Sequence, residues 1–391
     1  MPSIIIKGDY TKGIGIVSAT KLTTYRGCPL AYEIKYIERI KVPATPAAFF
    51  GQQIHYILDQ FYKKNFKSKR SFLNWAWFYW FGSIDRKFKQ KTEVAWSNPI
   101  RQKFMFEKYR VKITDEQAKI FAERGLKIIT QNVYDYYDIN SSAKSFDKRY
   151  FNAEVQLKQF KNYGINISLE QALGFAEIGL RIEPEAKLYG LLAMKILSRY
   201  YDENINKKAN VLFHEKRVVK NFEGYKLLAK FDKIQKTPEN NIEIVDYKSG
   251  KDSPNLGPEI EFVLHHHPQF TQYSKVYREW KDSESLGLPD ESRLLLYHLR
   301  SGKIFETKRS NKDYEYLYQL IRTVDRDIKE GNFTPFYGFH CKWCDCLFEC
   351  NKRRVGVGDG MSAFIERIEA LNEPSTIQGK TILLERALTE E

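Results

Sequence analysis

The eight residues "IVDYKSGK", 244 to 251, set an aspartate and a lysine two positions apart in a short apolar run that reads as a strand. In a strand, side chains at i and i+2 point the same way, so Asp246 and Lys248 share a face. The preceding predicted strand, "YKLLAKFDKIQK", carries Asp232, and pairing of the two strands through the "TPENN" turn would bring Asp232 close to Asp246. Two adjacent carboxylates repel, and a divalent cation removes that cost. Hard oxygen ligands suit Mg²⁺ or Mn²⁺. A lysine beside them can orient the attacking water or steady charge that develops on a phosphate. Taken alone, the D-x-K pattern also fits an ordinary cross-strand ion pair on a solvated face, worth about 0.2–1 kcal/mol.

Further constellations bear on that choice. "FGQQIHYILD" places His55 four residues after Gly51 on a predicted helix, and "PQFTQYSKVY" places Gln269 and Tyr273 on one helix face. The chain has five cysteines. Cys341, Cys344 and Cys350 form a C-x2-C-x5-C run with Cys346 inside it, and Cys28 stands near the other end of the chain. A disulfide framework would scatter its cysteines, whereas clustering suggests metal. Four thiolates suit zinc or an iron–sulfur cluster, and spacing favours neither. His265, His266 and His267 precede the Gln269 helix and read as a loop near the site rather than as ligands.

First cysteine, G-x-x-x-H, Asp, D-x-K, Q-x-x-x-Y and C-x2-C-x5-C follow one another in that order. The ordered set resembles the RecB-like branch of the PD-(D/E)XK nucleases, and within it the members with an iron–sulfur cluster: the AddB-type nuclease domains and the CRISPR-associated RecB-like exonucleases. The resemblance covers residues 18–60 and 211–352. It implies that His55, Asp232, Asp246 and the Tyr247 backbone carbonyl hold the cation, and that Lys248 is the catalytic lysine. It implies that Gln269 and Tyr273 line the site, and that Cys28, Cys341, Cys344 and Cys350 hold a 4Fe–4S cluster, with Cys346 a bystander; Zn²⁺ is the alternative. Relatives often have glycine three residues before the first aspartate; here Ala229 stands there.

The elements that must position these residues can be read from periodicity. "SATKLTTYRGCPLAYEIKYI" and "AFFGQQIHYILDQFYKKNF" read as helices separated at Pro43 and Pro46, after a short strand pair in the first 20 residues. Residues 61–210 read as a helical insertion; "DEQAKIFAERGLKIITQNVYDYYDI" and "PEAKLYGLLAMKILSRYYDENI" have 3.6-residue spacing. From 211 the period becomes strand-like: three antiparallel runs, a crossover helix from "HPQFTQYSKVYREW", then a hairpin from "SRLLLYHLR" and "KIFETKR". The expected fold is mixed α/β. It has a restriction-endonuclease-like core with a mixed central sheet, a large helical insertion, and a cysteine-bound metal cluster joining the N- and C-terminal parts. The expected divisions are 1–60, 61–210, 211–335, and a cysteine cluster with tail at 336–391.

Composition bounds the partners. Net charge is +14, and Phe61 to Lys112 holds 14 Lys and Arg against 3 Asp and Glu, which favours a polyanion. Lys63, Lys64, Lys67, Lys69 and Arg70 are the expected DNA contacts, while the "WAWFYW" rings read as buried between helices. No apolar run is long enough for a membrane span, and "MPSIIIKGDY" is too soon interrupted for a signal peptide, so a cytoplasmic protein is expected. The resulting expectation is a Mg²⁺- or Mn²⁺-dependent DNA nuclease. It would be an exonuclease on DNA ends or single strands, in recombination, repair or phage DNA processing, with a helicase or recombination partner on another chain. The alternatives are a non-catalytic, cluster-bearing DNA-binding subunit and an endonuclease.

Overall fold

The computed structural model describes residues 12–42, 44–84, 102–103, 106–107, 111–129, 148–250, 264–338, 341, 344–346, 349–350 and 353. The chain divides into two compact units. The larger comprises Lys12–Thr23 and Pro43–Asp327, and the smaller comprises Thr24–Val42 with the described residues from Ile328 onward.

The larger unit is organised by a six-stranded mixed sheet. Strands β4 (Val211–Phe222), β5 (Tyr225–Lys236) and β6 (Ile242–Lys248) are antiparallel neighbours. The β4–β5 connection is the two-residue turn Glu223–Gly224, both at positive φ (49° and 82°), the twist that tight hairpins require. Strand β6 then pairs in parallel with β7 (Glu291–His298), which pairs antiparallel with β8 (Lys303–Thr307). A parallel neighbour needs a crossover, and helix α9 (Pro268–Ser283) supplies it. Strand β1 (Ile16–Val17) runs parallel to the start of β5.

The sheet is covered by helices whose apolar spacing buries one face. Helix α3 (Pro46–Lys63) opens with Thr45 accepting from the Ala48 N–H and with proline in its first turn. Helix α4 (Lys69–Tyr79) opens with a reciprocal Ser68–Ser71 capping box. With α8 (Glu185–Asn204) they bury Phe50, Ile54, Phe61, Phe72 and Trp80 in one core that includes Val245, Tyr247, Leu295 and Tyr297 of the sheet. Helix α9 lays Phe270, Tyr273, Val276 and Trp280 on β4 and β5, with Tyr273 against Phe231 (5.1 Å) and Trp280 against Phe213 (4.9 Å).

Residues 61–210 are less purely helical than their periodicity predicts. Helix α5 (Asp115–Arg124) stops at Gly125, whose φ of 58° is the left-handed conformation that ends helices. The next residues, Leu126–Ile129, form β2, which pairs antiparallel with β3 (Arg181–Pro184). The long helical pattern beginning at Asp115 is therefore cut, and its remainder beyond Ile129 lies outside the described residues. Helices α6 (Ala153–Asn162) and α7 (Leu169–Glu177) complete a separate core around Phe106, Phe121, Phe160 and Phe175.

In the smaller unit, α2 (Pro29–Tyr32) and a π-helical turn (Glu33–Ile37) pack Leu30, Ala31 and Ile34 around Cys346. Among the described residues no helix is long and apolar enough to cross a membrane. Of the expected N-terminal strand pair only β1 lies within the described residues, and the expected tail after residue 353 lies outside them.

Candidate active site

The site lies where the sheet forks. One edge of β5 pairs with β6 from Lys236↔Ile242 to Lys233↔Val245, and with β1 only at Lys226 and Leu227. The strand between those stretches finds its partners in side chains. Asp232 Oδ2 accepts from the Tyr247 N–H at 2.8 Å. The Tyr273 hydroxyl donates to the Lys230 carbonyl at 2.7 Å, and Gln272 Nε2 to the Leu228 carbonyl at 2.7 Å. Satisfying buried backbone groups this way holds the fork open and fixes the side chains that do so.

Two clusters converge there. In the first, His55 Nδ1 on α3 stands 3.1 Å from Asp232 Oδ1 and 3.4 Å from Glu215 Oε1 on β4. Glu215 also pairs with Lys230. One donor atom from each of His55, Glu215 and Asp232 lies within 4.8 Å of the others. In the second, Asp246 is 1% exposed. Its Oδ1 accepts from Gln269 Nε2 at 2.6 Å and lies 3.3 Å from the Tyr273 hydroxyl. Its Oδ2 pairs with Lys248 Nζ at 2.7 Å. Lys248 in turn donates to Gln269 Oε1 at 3.2 Å.

The electrostatics follow from burial and crowding. Burial alone would lower the His55 pKa, but Asp232 and Glu215 outweigh it and push it up to about 10. Burial raises Asp232, and Asp246 adds to this, against His55. Burial also acts to raise Glu215, but His55 and Lys230 hold it below the usual carboxylate range. Burial would lower Lys248; Asp246 and Asp232 overcome it and raise it. Tyr273 is driven well above the ordinary phenol range by burial first and by Asp246 and Asp232 next. An acidic row with one histidine and two ammonium groups, Lys230 and Lys248, is a charge pattern that suits a cation and a phosphate.

The PD-(D/E)XK nuclease superfamily model matches residues 16–132 and 170–351, more than half of the chain and both clusters. The chain belongs to the PD-(D/E)XK nuclease superfamily. No curated protein matches it. Among solved structures it is similar to a protein from Eubacterium rectale provisionally named an exonuclease, with 12% identity over 85% of this chain and 87% of the other, TM-score 0.35. It is also similar to the protein SSO0001, with 14% identity over 55% of this chain and 91% of the other, TM-score 0.26.

Within this superfamily fold, the residues singled out from sequence fall in three places. His55, Asp232, Asp246, Tyr247, Lys248, Gln269 and Tyr273 meet at the fork. Cys28, Cys341, Cys344, Cys346 and Cys350 line one cavity of the smaller unit with Leu30, Ala31, Ile34, Phe336 and Tyr337. No disulfide joins any two of them. Hydrogen bonding to Cys346, against burial, lowers Cys344 to about 7, and the same contact with burial drives Cys346 up. The basic residues sit on the α3–α4 connection and α4. Lys63 pairs with Asp59 at 2.6 Å and Lys69 with Asp202, whereas no described carboxylate faces Lys64, Lys67 or Arg70.

Sequence reasoning missed Glu215. It lies in "LFHEKRVV", where one more charge in a strand is unremarked, and what aims it is a backbone φ of 48° that no residue type announces. It also missed a second buried pair beside the first: His214 Nδ1 is 2.7 Å from Asp59 Oδ1, and Asp59 is one helical turn beyond His55 on α3. The expected burial of "WAWFYW" holds for Ala76 and Trp80, but Trp77 and Phe78 are exposed. Helical geometry explains the split: residues 72, 76 and 80 form one stripe, and 77 and 78 lie off it.

Proposed function

We propose that this chain is a Mg²⁺- or Mn²⁺-dependent deoxyribonuclease of exonuclease type, acting on DNA ends or single strands in recombination, repair or phage DNA processing. The observation that carries the reading is the fork itself: His55, Glu215 and Asp232 on one side, and Asp246 with Lys248 on the other. The donor set fits a hard cation. Three donors lie close together, and Asp246 adds a second buried carboxylate whose Oδ2 meets the Lys248 ammonium at 2.7 Å. His55, Asp232, Asp246, Glu215 and the Tyr247 carbonyl would hold it. When bound, the cation polarises the scissile phosphate and lowers the pKa of the attacking water.

The chain's own residues supply the rest. Lys248 is raised in pKa, so it stays an ammonium at neutral pH. It therefore stabilises the negative charge that builds on the phosphoryl oxygens rather than taking a proton. Its side chain is 43% exposed, so the charge reaches toward a substrate. Gln269 bridges Asp246 and Lys248 and fixes the angle between them. Tyr273 anchors Asp246 to the β5 backbone. Hydrolysis adds water across the P–O bond, and the departing sugar oxygen takes a proton. Because His55 is held near 10, cation uptake requires it to give up its proton.

In the smaller unit we propose that Cys28, Cys341, Cys344 and Cys350 hold a 4Fe–4S cluster. The supporting observation is that one cavity is lined by all of them. Its role is a staple, tying α2 to the C-terminal segment. Iron and sulfide analysis of anaerobically purified protein tests it; stoichiometric zinc without iron would replace the cluster with the alternative.

For the nuclease, wild type and Asp246→Ala are incubated with end-labelled linear and with circular single-stranded DNA, with Mn²⁺ or with EDTA. Metal-dependent loss of the linear substrate alone, abolished in the variant, is expected. Cutting of circles would make the protein an endonuclease. Binding without cutting by both proteins would leave a DNA-binding subunit.

A further inference from the structure

A row of aromatic rings reaches the surface beside His55. Tyr56, the residue after His55 on α3, stacks on Tyr79 of α4, with centroids 5.0 Å apart and planes 30° apart. Tyr79 stacks on Trp75 at 5.6 Å and 12°. Gln53 accepts from the Tyr79 hydroxyl at 3.0 Å and ties the row to α3. On the same helix Phe78, three residues after Trp75, is 74% exposed, and Tyr56 itself is 43% exposed. Exposed rings on two neighbouring helices are more than scattered surface apolar residues, which need no explanation.

The charge around the row selects its occupant. From Gln60 to Ile84 the sequence holds five Lys and Arg and no Asp or Glu. Lys64 Nζ lies over the Trp75 ring, 5.6 Å from its centroid. A protein partner would need acidic groups to meet these cations and apolar groups to meet the rings. A single nucleic-acid strand offers both in each nucleotide: a phosphate for a lysine and a base face for a ring. A duplex hides its base faces in the stack and could meet only the lysines.

We propose that Tyr56, Trp75, Tyr79 and the exposed Phe78, with Lys64, form a platform on which unpaired bases of single-stranded DNA stack as the strand approaches the fork. This rests on the nuclease reading for the direction of approach, but the binding itself does not require cleavage. The platform begins one residue from His55, so a strand lying on it leads to the acidic row. It makes the preferred substrate a single strand or a frayed end, selected without regard to base identity, because every base has a π face.

Binding is measured by fluorescence anisotropy in EDTA, with labelled oligo(dT) of about 20 nucleotides and a blunt duplex of equal length as probes. Proteins are wild type, Phe78→Ala, Tyr56→Ala, their double variant and Lys64→Ala, each checked for an unchanged melting temperature. The double variant is expected to bind oligo(dT) about tenfold more weakly, with the salt slope unchanged and duplex affinity unaltered. Lys64→Ala is expected to make the salt slope shallower by about 0.7. Wild-type oligo(dT) affinity in the double variant overturns the platform, as does an equal loss for duplex and single strand. A wild-type dimer that Phe78→Ala dissolves also overturns it, because the rings would then face a second copy. Nuclease assays of Asp246→Ala stand apart: cutting that persists there sinks the catalytic reading whatever the binding data give.

Discussion

Asp232 does two unlike things with its two oxygens: Oδ2 accepts the Tyr247 main-chain N–H at 2.8 Å, and Oδ1 meets His55 Nδ1 at 3.1 Å. The first interaction closes the sheet where the β5–β6 ladder stops, and the second faces the acidic row. Fold and chemistry are therefore separable by substitution. Asp232→Asn retains an acceptor for the N–H, and Asp232→Ala leaves a buried donor unmet, at a cost of about 1–3 kcal/mol. Urea unfolding is expected to show Asn near wild type and Ala destabilised by that amount, with both inactive. Equal stabilities would mean that the side chain does not hold the fork.

Tyr273 is the matching brace on α9. Its hydroxyl donates to the Lys230 carbonyl and contacts Asp246. Tyr273→Phe keeps the ring against Phe231 and deletes those contacts together with the hydrogen bond the hydroxyl accepts from Gln269 Nε2 at 2.8 Å. Stability is expected to fall by about 1–2 kcal/mol, since a buried carbonyl loses its donor. Turnover is expected to fall more than substrate affinity, because Asp246 loses its tether while the DNA surface is untouched. A drop in affinity alone would assign Tyr273 to binding instead.

How much of this was legible in the sequence depends on what kind of force places each residue. The strand order through β6, α9 and β7 follows from period and turn chemistry, which are local. Pairing Asp232 with Asp246 needed only one hairpin. Gly51 was readable as part of a spacing, and the structure gives its reason: a Cβ there would come 3.1 Å from Ser249 Oγ, next to Lys248. Glu215 was not readable, because a left-handed residue inside a strand is set by its neighbours and not by its own type. The β2–β3 ribbon was missed because "LKII" continues a helical period, and only Gly125 marks the break. The exposed rings were misjudged because "WAWFYW" is apolar all round, and which side meets the core is decided by tertiary packing.

Gly190 on α8 offers a packing test away from the site. A Cβ there would lie 2.6 Å from Phe81 Cζ and 2.7 Å from Trp80 Nε1. Trp80 is fully buried and donates to the Ala186 carbonyl at 3.0 Å, so the indole has little room to move. Gly190→Ala should gain helix propensity of about 1 kcal/mol in isolation. Overpacking costs about 1–3 kcal/mol and should win, lowering the melting temperature. A stabilised variant would show that Trp80 shifts freely.

The β2–β3 ribbon carries a pH-dependent brace. Glu183 on β3 is buried, which by itself would raise its pKa, yet Lys187 at 2.9 Å and Arg181 together hold it below the usual value. A carboxylate with a depressed folded pKa contributes stability above its unfolded pKa and loses it as pH falls through the folded value. Glu183→Gln should therefore destabilise the protein by about 1 kcal/mol at pH 7. The gap should narrow as pH drops below about 4.3, the ordinary glutamate value, and close once the folded carboxylate is protonated. Urea midpoints of both proteins between neutral and acidic pH give the comparison. A gap that stays constant with pH would place the glutamate's contribution in packing and not in charge.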